Sequence, residues 1–565
     1  MTVEKLITDH IDIWSSALQT RSTAGRGSNG KIDLYGIKKL RELILELAVR
    51  GKLVAQDPND EPASELLKRI AAEKAELVKQ GKIKKQKPLP EISEDEKPFE
   101  LPEGWELNRL GDLINVINGR AYKKHEMLQA GTPLLRVGNL FTSNEWYYSD
   151  LELEPEKYID NGDLIYSWSA SFGPFIWNGG KVIYHYHIWK MDIFDAQSLD
   201  KHFMKLYLES VSASIKASGN GIAMIHMTKE RMEKLVIPLP PRAEQLRIVA
   251  KVNELMSLCD QLEQQSLTSL EAHQQLVETL LVTLTDSQNA EELSKNWARI
   301  SQYFDTLFTT EASIDALKQT ILQLAVMGKL VPQDPNDEPA SELLKRIEQE
   351  KAQLVKEGKI KKQKPLPEIS EDEKPFELPK GWEWCRIGSV INIRVELVKP
   401  ENYYDFFQVA PDIIEKGTGK VISQRTVKES GIKGPNSRFY KNQIVYSKIR
   451  PSLSKAFIAE YDGLCSADMY PLDCFINTGY LLKVILSEVF LIQVRAAENR
   501  IKMPKLNVES LSNILIPVPP AGIQSAVFSK ISQMDIFCDT LKSRLQSAQQ
   551  TQLNLADALT DAALN

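Results

Sequence analysis

The chain has 565 residues, 42% hydrophobic and 26% charged, with a formal net charge of −6. This length exceeds one hydrophobic core and calls for several domains, and the composition is that of ordinary globular protein, which excludes disordered and collagen-like classes. No apolar run approaches the roughly 20 residues that span a bilayer, and Met1–Leu6 carries no basic-then-apolar leader, so no membrane partner and a cytoplasmic location are expected.

In chain order, the first informative feature is a repeat. Residues 37–106 recur at 314–383, an offset of 277, with Gln56–Ile70 identical to Gln333–Ile347 and Lys82–Pro102 identical to Lys359–Pro379. A period of half the chain means one unit used twice, not a solenoid. Within each copy the spacing predicts a helix over Leu40–Val49 and Leu317–Val326, ended by a glycine C-cap at Gly51 and Gly328. A turn-rich loop follows, and Pro62 opens a second helix running to Gly81. The lysine run Lys82–Lys87, Pro88-Leu89-Pro90 and the acidic Glu94–Glu96 read as a solvated linker, with docking to a partner subunit as the alternative.

Downstream, residues 107–236 and 384–515 are almost equal in length but share little beyond anchors. The first carries 14 Lys/Arg against 15 Asp/Glu and the second 18 against 13, which leaves the acidic excess on the repeated remainder. Comparatively basic variable regions on an acidic frame suit a polyanionic partner. Both contain short β-rich runs, among them Thr132–Val137, Asp163–Trp168, Phe175–Trp177, Lys181–His185, Gln443–Ser447 and Lys455–Ile458. Helices are expected over Lys201–Ser212 and Leu481–Ala497, each ahead of a loop at Met224 or Met503. Each region is then a mixed α+β domain.

Ile237-Pro-Leu-Pro-Pro241 and Ile516-Pro-Val-Pro-Pro520 end these regions at an offset of 279. Long helices follow, with apolar steps of three and four at Ile248, Val252, Leu255, Cys259 and Leu262, and at Val527, Ile531, Met534, Cys538, Leu541 and Leu545. So narrow a stripe is a coiled-coil seam. The fold class is thus α+β, with two mixed domains separated by a long antiparallel helical spacer in a pseudo-two-fold repeat. The expected boundaries are 1–100 (helical frame), 101–240 (first variable domain), 241–310 (spacer helix and link), 311–377 (second frame block), 378–519 (second variable domain) and 520–565 (C-terminal spacer helix).

Candidate nucleic-acid contacts are basic and amide side chains on loops, interleaved with aromatics, since arginine and asparagine pair with base edges and lysine neutralises phosphate. In the first region these are Asn118, Arg120, Tyr122, Lys123, Lys124, Arg136, Asn139, Trp168, Asn220 and His226; in the second, Lys448, Arg450, Lys455, Asn499, Arg500, Lys502 and Lys505. Each one singly reads more readily as a plain surface residue; the clusters 448–455 and 499–505 concentrate charge. Arg500, Lys502 and Lys505 stand opposite Gly221, Ala223 and His226, so equivalent loops differ in chemistry.

Catalytic signatures are missing from the sequence. There is no G-x-x-x-x-G-K-[ST] phosphate loop, no glycine-rich nucleotide turn and no Asn-Pro-Pro-aromatic run. Pro411-Asp412 is followed by no Glu-x-Lys, and His185 and His187 alternate on a strand as structural residues do. The five cysteines (259, 385, 465, 474, 538) form no C-x-x-C and read as free thiols in a reducing compartment. The chain reads as non-catalytic, with no catalytic, metal or cofactor residues of its own.

The IPLPP–AEQ segment (Ile237–Gln245) entering a long helix, Tyr446-Ser-Lys-Ile-Arg-Pro451, the frame motif Glu46–Val54 (ELAVRGKLV) and QDPNDEPASELL together resemble the specificity subunit of type I restriction–modification systems, HsdS, in its type IB, EcoAI-like branch. The resemblance covers the whole chain. It implies two target recognition domains reading the halves of an asymmetric bipartite site in double-stranded DNA. It implies two modification subunits that carry S-adenosylmethionine and adenine-N6 chemistry, and two restriction subunits that bring ATP, Mg and cleavage. One departure is Ala521-Gly522-Ile523-Gln524, where the first copy has Arg-Ala-Glu-Gln, so docking at that end is expected to be weaker. A stand-alone bivalent DNA-binding regulator and a protein–protein scaffold are the rival readings.

Overall fold

A computed structural model describes residues 3–21, 31–169, 173–218, 227–497 and 504–564. The chain divides into two units, Met1–Thr268 with Ala548–Asn565, and Ser269–Ser547. The long helices Arg242–Asp286 and Ala521–Leu564 each contribute residues to both units.

Each unit repeats the same construction. The frame helices Tyr35–Val49 and Glu311–Val326 bury their apolar stripes. They end as the glycines demand: Gly51 (φ 67°) and Gly328 (φ 75°) are left-handed, and Lys52 N–H and Lys329 N–H donate back to Leu47 O and Leu324 O. A side chain at Gly51 would also collide with the Pro102 ring 2.5 Å away. The second frame helices, Ala63–Lys79 and Ala340–Lys356, start after proline as expected.

The polar stretch read as a linker is a strap. Pro90 O and Glu91 O accept from the buried Arg109 guanidinium, and Glu96 pairs with both its terminal nitrogens at 2.8 Å. Arg386 reaches the equivalent partners, Pro367 O, Glu368 O and Glu373, the carboxylate from one terminal nitrogen at 2.9 Å. Arg109 holds the Glu96 carboxyl down at about 2, helped by the Ser93 N–H. Leu89 and Leu366 lie against Gly111 and Gly388, where a side chain would crowd them. Polar identity in both copies thus has an intramolecular cause.

Each variable region holds two four-stranded sheets and a two-stranded ribbon. In the first, Ile114–Asn118, Ile188–Ile193, Leu164–Ser167 and Gly173–Ile176 form one sheet in that order, and Tyr147–Ser149, Thr132–Leu135, Val182–Tyr184 and Tyr158–Ile159 the other. In the second, Ile391–Ile393, Met469–Cys474, Ile444–Ser447 and Ala456–Ile458 match the former sheet strand for strand. The other sheet runs Leu397–Val398, Asn436–Phe439, Gly463–Ser466, Phe407–Val409, with its extra strand on the opposite edge. The proline-bearing strands Val236–Leu239 and Leu515–Val518 pair with Glu106–Arg109 and Glu383–Arg386, closing each domain where it began.

The helix expected over Leu481–Ala497 is two, Thr478–Ile485 and Glu488–Ala497, broken at Ser487, whose hydroxyl donates to Val484 O. The long-helix stripe also has a partner the periodicity did not name. In the second unit Val277, Leu281, Leu284, Met534, Cys538, Leu541 and Leu545 share one cluster with Ile314, Leu317, Ile321 and Leu324 of the frame helix. In the first unit, Arg41 of the frame helix reaches Asp260 (2.6 Å) and Glu263 (2.9 Å). Lys318 and Asp539 (3.0 Å) repeat that bridge. In the second unit a stripe shaped like a two-helix seam is thus shared with a third helix, and in both units an ion pair ties the frame helix to the long helix.

Candidate nucleic-acid interface

Among the described residues no group of three or more His, Cys, Asp or Glu could hold a metal ion, and no helix is long and apolar enough to cross a membrane. The cysteines are free thiols, Cys259 and Cys538 buried as their stripe requires.

The site emerges from the matched sheets. In the first domain Ser167 pairs with Ile188, in the second Ser447 with Met469, and beyond each pair the chain turns at one tip of the sheet. Trp168 N–H donates to His187 O (3.1 Å) and Lys448 N–H to Asp468 O (3.0 Å). The side chains repeat the pattern: the Trp168 indole donates to Tyr186 O (2.8 Å) and the Lys448 ammonium to Ala467 O (2.7 Å). Trp168 stacks on Trp189 at 5.7 Å, and Lys448 lies over Tyr470 at 5.3 Å. The two tips are built alike and furnished differently.

The first tip is aromatic. Tyr186 is 40% exposed, with ring centroids 4.4 Å from His185 and 3.9 Å from His187, and Trp168 lies 5.0 Å from His187. Burial, with the charges of His187 and Arg136, pushes His185 down to about 4, so it is neutral near pH 7. The second tip is ionic. Asp468 sits 3.2 Å from the Lys505 ammonium and 3.7 Å from Lys448, and Arg450, left-handed at φ 46°, donates its N–H to Pro504 O.

The structure therefore gathers some candidates and disperses others. Asn118, Arg120, Arg136 and Trp168 surround the segment Tyr184–His187: Asn118 lies opposite Trp189, Arg120 backbone-bonds Tyr184 and Tyr186, and His185 N–H reaches Leu135 O beside Arg136. Lys123 and Lys124 are exposed on the turn after Arg120. Arg120 is bound to Glu126 through both terminal nitrogens, and Arg136 lies over Tyr147 at 5.2 Å. Tyr122 departs from its expected role. It is 8% exposed, its ring lies in the small core with Leu134 and Ile183, and burial raises its hydroxyl to about 12. Asn139 is turned inward, accepting from Arg136 N–H and donating to Glu145 O. In the second domain Lys448, Arg450 and Lys505 come together, whereas the half-buried Lys455 donates to Pro411 O. Asn220, His226, Asn499, Arg500 and Lys502 lie outside the described residues.

Sequence reasoning did not single out Tyr186, Asp468 or Tyr470, and it read His185 and His187 as structural residues of a strand. The signal was the repeat itself: aligning Ser167 with Ser447 in the sequence matches Trp168 to Lys448 and Tyr186 to Ala467.

Residues 102–272 and 379–550 match the family model described as the type I restriction modification DNA specificity domain. The chain belongs to that family. It is 51% identical over 608 residues to the Escherichia coli type I restriction enzyme EcoEI specificity subunit, and 48% identical over 610 residues to the EcoAI specificity subunit of the same organism, with all of each chain covered in both cases. It is also similar to the crystal structure of the HsdS subunit from Thermoanaerobacter tengcongensis, with TM-score 0.38 and 15% identity over 83% of this chain and 98% of that one.

In this family member the second copy lacks one buried contact set of the first. Glu244, 1% exposed, accepts from the Trp105 indole (2.9 Å) and the Gln56 amide (2.7 Å), and Arg247 pairs with Asp60 at 2.6 Å. Burial raises the Glu244 carboxyl against these donors. Ile523 and Ala526 occupy the equivalent places, and the Trp382 indole bonds Gln333 directly (2.7 Å). Gln245 and Gln524 are retained and both buried, accepting from Asp200 N–H and Asn477 N–H.

Proposed function

We propose that this chain is the DNA sequence-specificity subunit of a type I restriction–modification complex, each variable domain (101–240 and 378–519) reading one half of an asymmetric bipartite target. The observation that carries this reading is the pair of structurally equivalent tips with unlike chemistry on a duplicated frame. One scaffold presenting two surfaces suits two different half-sites.

The chain itself is non-catalytic in this reading. Two modification subunits docked on the frame supply S-adenosylmethionine and adenine-N6 methylation, and two restriction subunits supply ATP- and Mg-dependent translocation and cleavage. The complex works in the cytoplasm. The long helices, rising ~1.5 Å per residue, act in this reading as a spacer whose length sets the gap between the two half-sites. Inserting one helical turn in a spacer helix then lengthens the accepted gap by about one base pair, and an unchanged gap would end the ruler idea.

The test is to sequence methylated sites in cells carrying the complete system, with residues 384–515 exchanged for the corresponding region of a relative. One half-site changes and the other stays; a change in both refutes modular reading. A stand-alone regulator would purify without a methyltransferase chain, and a protein-binding scaffold would show no steep salt dependence on duplex DNA.

A further inference from the structure

We infer that Tyr186 is a specificity-determining residue of the first recognition domain, contacting a base step of duplex DNA through its ring, while the equivalent tip of the second domain engages DNA through charge. This rests on the DNA-recognition reading above and goes further by assigning a residue and a physical mode to each half. Four observations converge on the tip. Tyr186 is exposed although it belongs to a ring cluster with His185, His187 and Trp168. Its backbone is fixed on both sides, by Tyr186 N–H to Arg120 O (3.1 Å) and the Trp168 indole to Tyr186 O (2.8 Å), so the ring is presented from a rigid support. Exposed Arg136, Lys123 and Lys124 are neighbours in the domain suited to flanking phosphates. Finally, Ala467 holds the same position in the second domain, where Lys448, Asp468 and Lys505 provide ions in place of rings.

An aromatic ring on a fixed loop recognises a base step by partial stacking and by how readily the step opens, and it releases no counterions. Lysines on phosphate do release them, so each contributes about one unit to the slope of log affinity against log salt. The two domains should therefore differ in kind as well as in preferred sequence.

The test uses the full complex with its modification subunits and duplexes carrying the methylated target. Tyr186→Ala is expected to weaken target binding ten-fold or more, with an unchanged salt slope, and to relax base preference in the first half-site alone. Tyr186→Phe is expected to retain most binding. Lys448→Ala and Lys505→Ala are each expected to lower the slope by about one while leaving first-half preference intact. Binding within two-fold of wild type for Tyr186→Ala, with site choice unchanged and the melting temperature preserved, overturns the assignment. If instead exchanging all of residues 107–236 changes neither half-site, the DNA-recognition reading itself falls, and the two failures are distinguishable.

Discussion

The two halves of this protein are most alike where they are polar and exposed, and least alike at the ends of their buried sheets. Ordinary surface drifts freely, because a solvated polar residue is replaceable at almost no energetic cost. Here the strap keeps its residues because Arg109 and Arg386 collect its carbonyls and a carboxylate inside each domain. The tips diverge for the complementary reason. Their backbone bonds to Trp168 and Lys448 persist, so the side chains can change without loss of the turn. Shared hydrogen bonding fixes the shape and leaves the chemistry free.

The comparison is broken most severely at its anchor. Arg109→Ala and Arg386→Ala should each destabilise their own unit by about 3 kcal/mol, because a carboxylate and three carbonyls, the third being Lys234 O or Asn513 O, lose a buried charged donor. Urea unfolding followed by domain-resolved hydrogen exchange would show protection lost in one unit per variant, and equal loss in both would contradict the duplicated-strap account.

A smaller difference separates the two tryptophans. Trp105→Phe removes a bond to a carboxylate and Trp382→Phe one to an amide, so about 2 kcal/mol and about 1 kcal/mol are expected. Glu244 adds a pH signature that Ile523 cannot. Its raised folded pKa means that the native state binds the proton more tightly than the unfolded chain does. Its contribution is therefore most favourable below the unfolded carboxyl pKa and declines as pH rises through the folded value. Melting curves from pH 4 to 8 should fall less steeply for Glu244→Gln than for wild type; parallel curves would contradict a titrating Glu244.

The least effect belongs to the exposed bridges from frame to long helix. Asp260→Asn and Asp539→Asn should each cost about 0.5 kcal/mol, vanishing in 1 M salt. A salt-independent loss in either would mean the pair is more deeply desolvated than the other.

Much of this was legible in the sequence. The frame helices, their glycine ends and the long helices followed from periodicity and capping, which are local. The repeat could be read because residues such as Glu96 and Glu373 lie in identical runs. The strap could not, since nothing local ties Glu96 to Arg109 across the intervening prolines. The aromatic tip was hidden for a similar reason: Trp168 meets Tyr186 only when two strands pair, and a Tyr-His-Tyr-His run reads as strand alternation until its turn is seen. Tyr122 was misplaced because a tyrosine beside lysines looks like surface, although Arg120 lies over its ring and closes it in.

The strap has an evolutionary corollary. The glutamate of the anchor belongs to a tract that both copies share letter for letter, while its arginine arrives with the incoming domain. Any domain that begins with that arginine finds its clasp waiting in either half. Recombination anywhere along the tract can thus shuffle readers between positions, or import new ones, without disturbing the hinge-point on which each is hung.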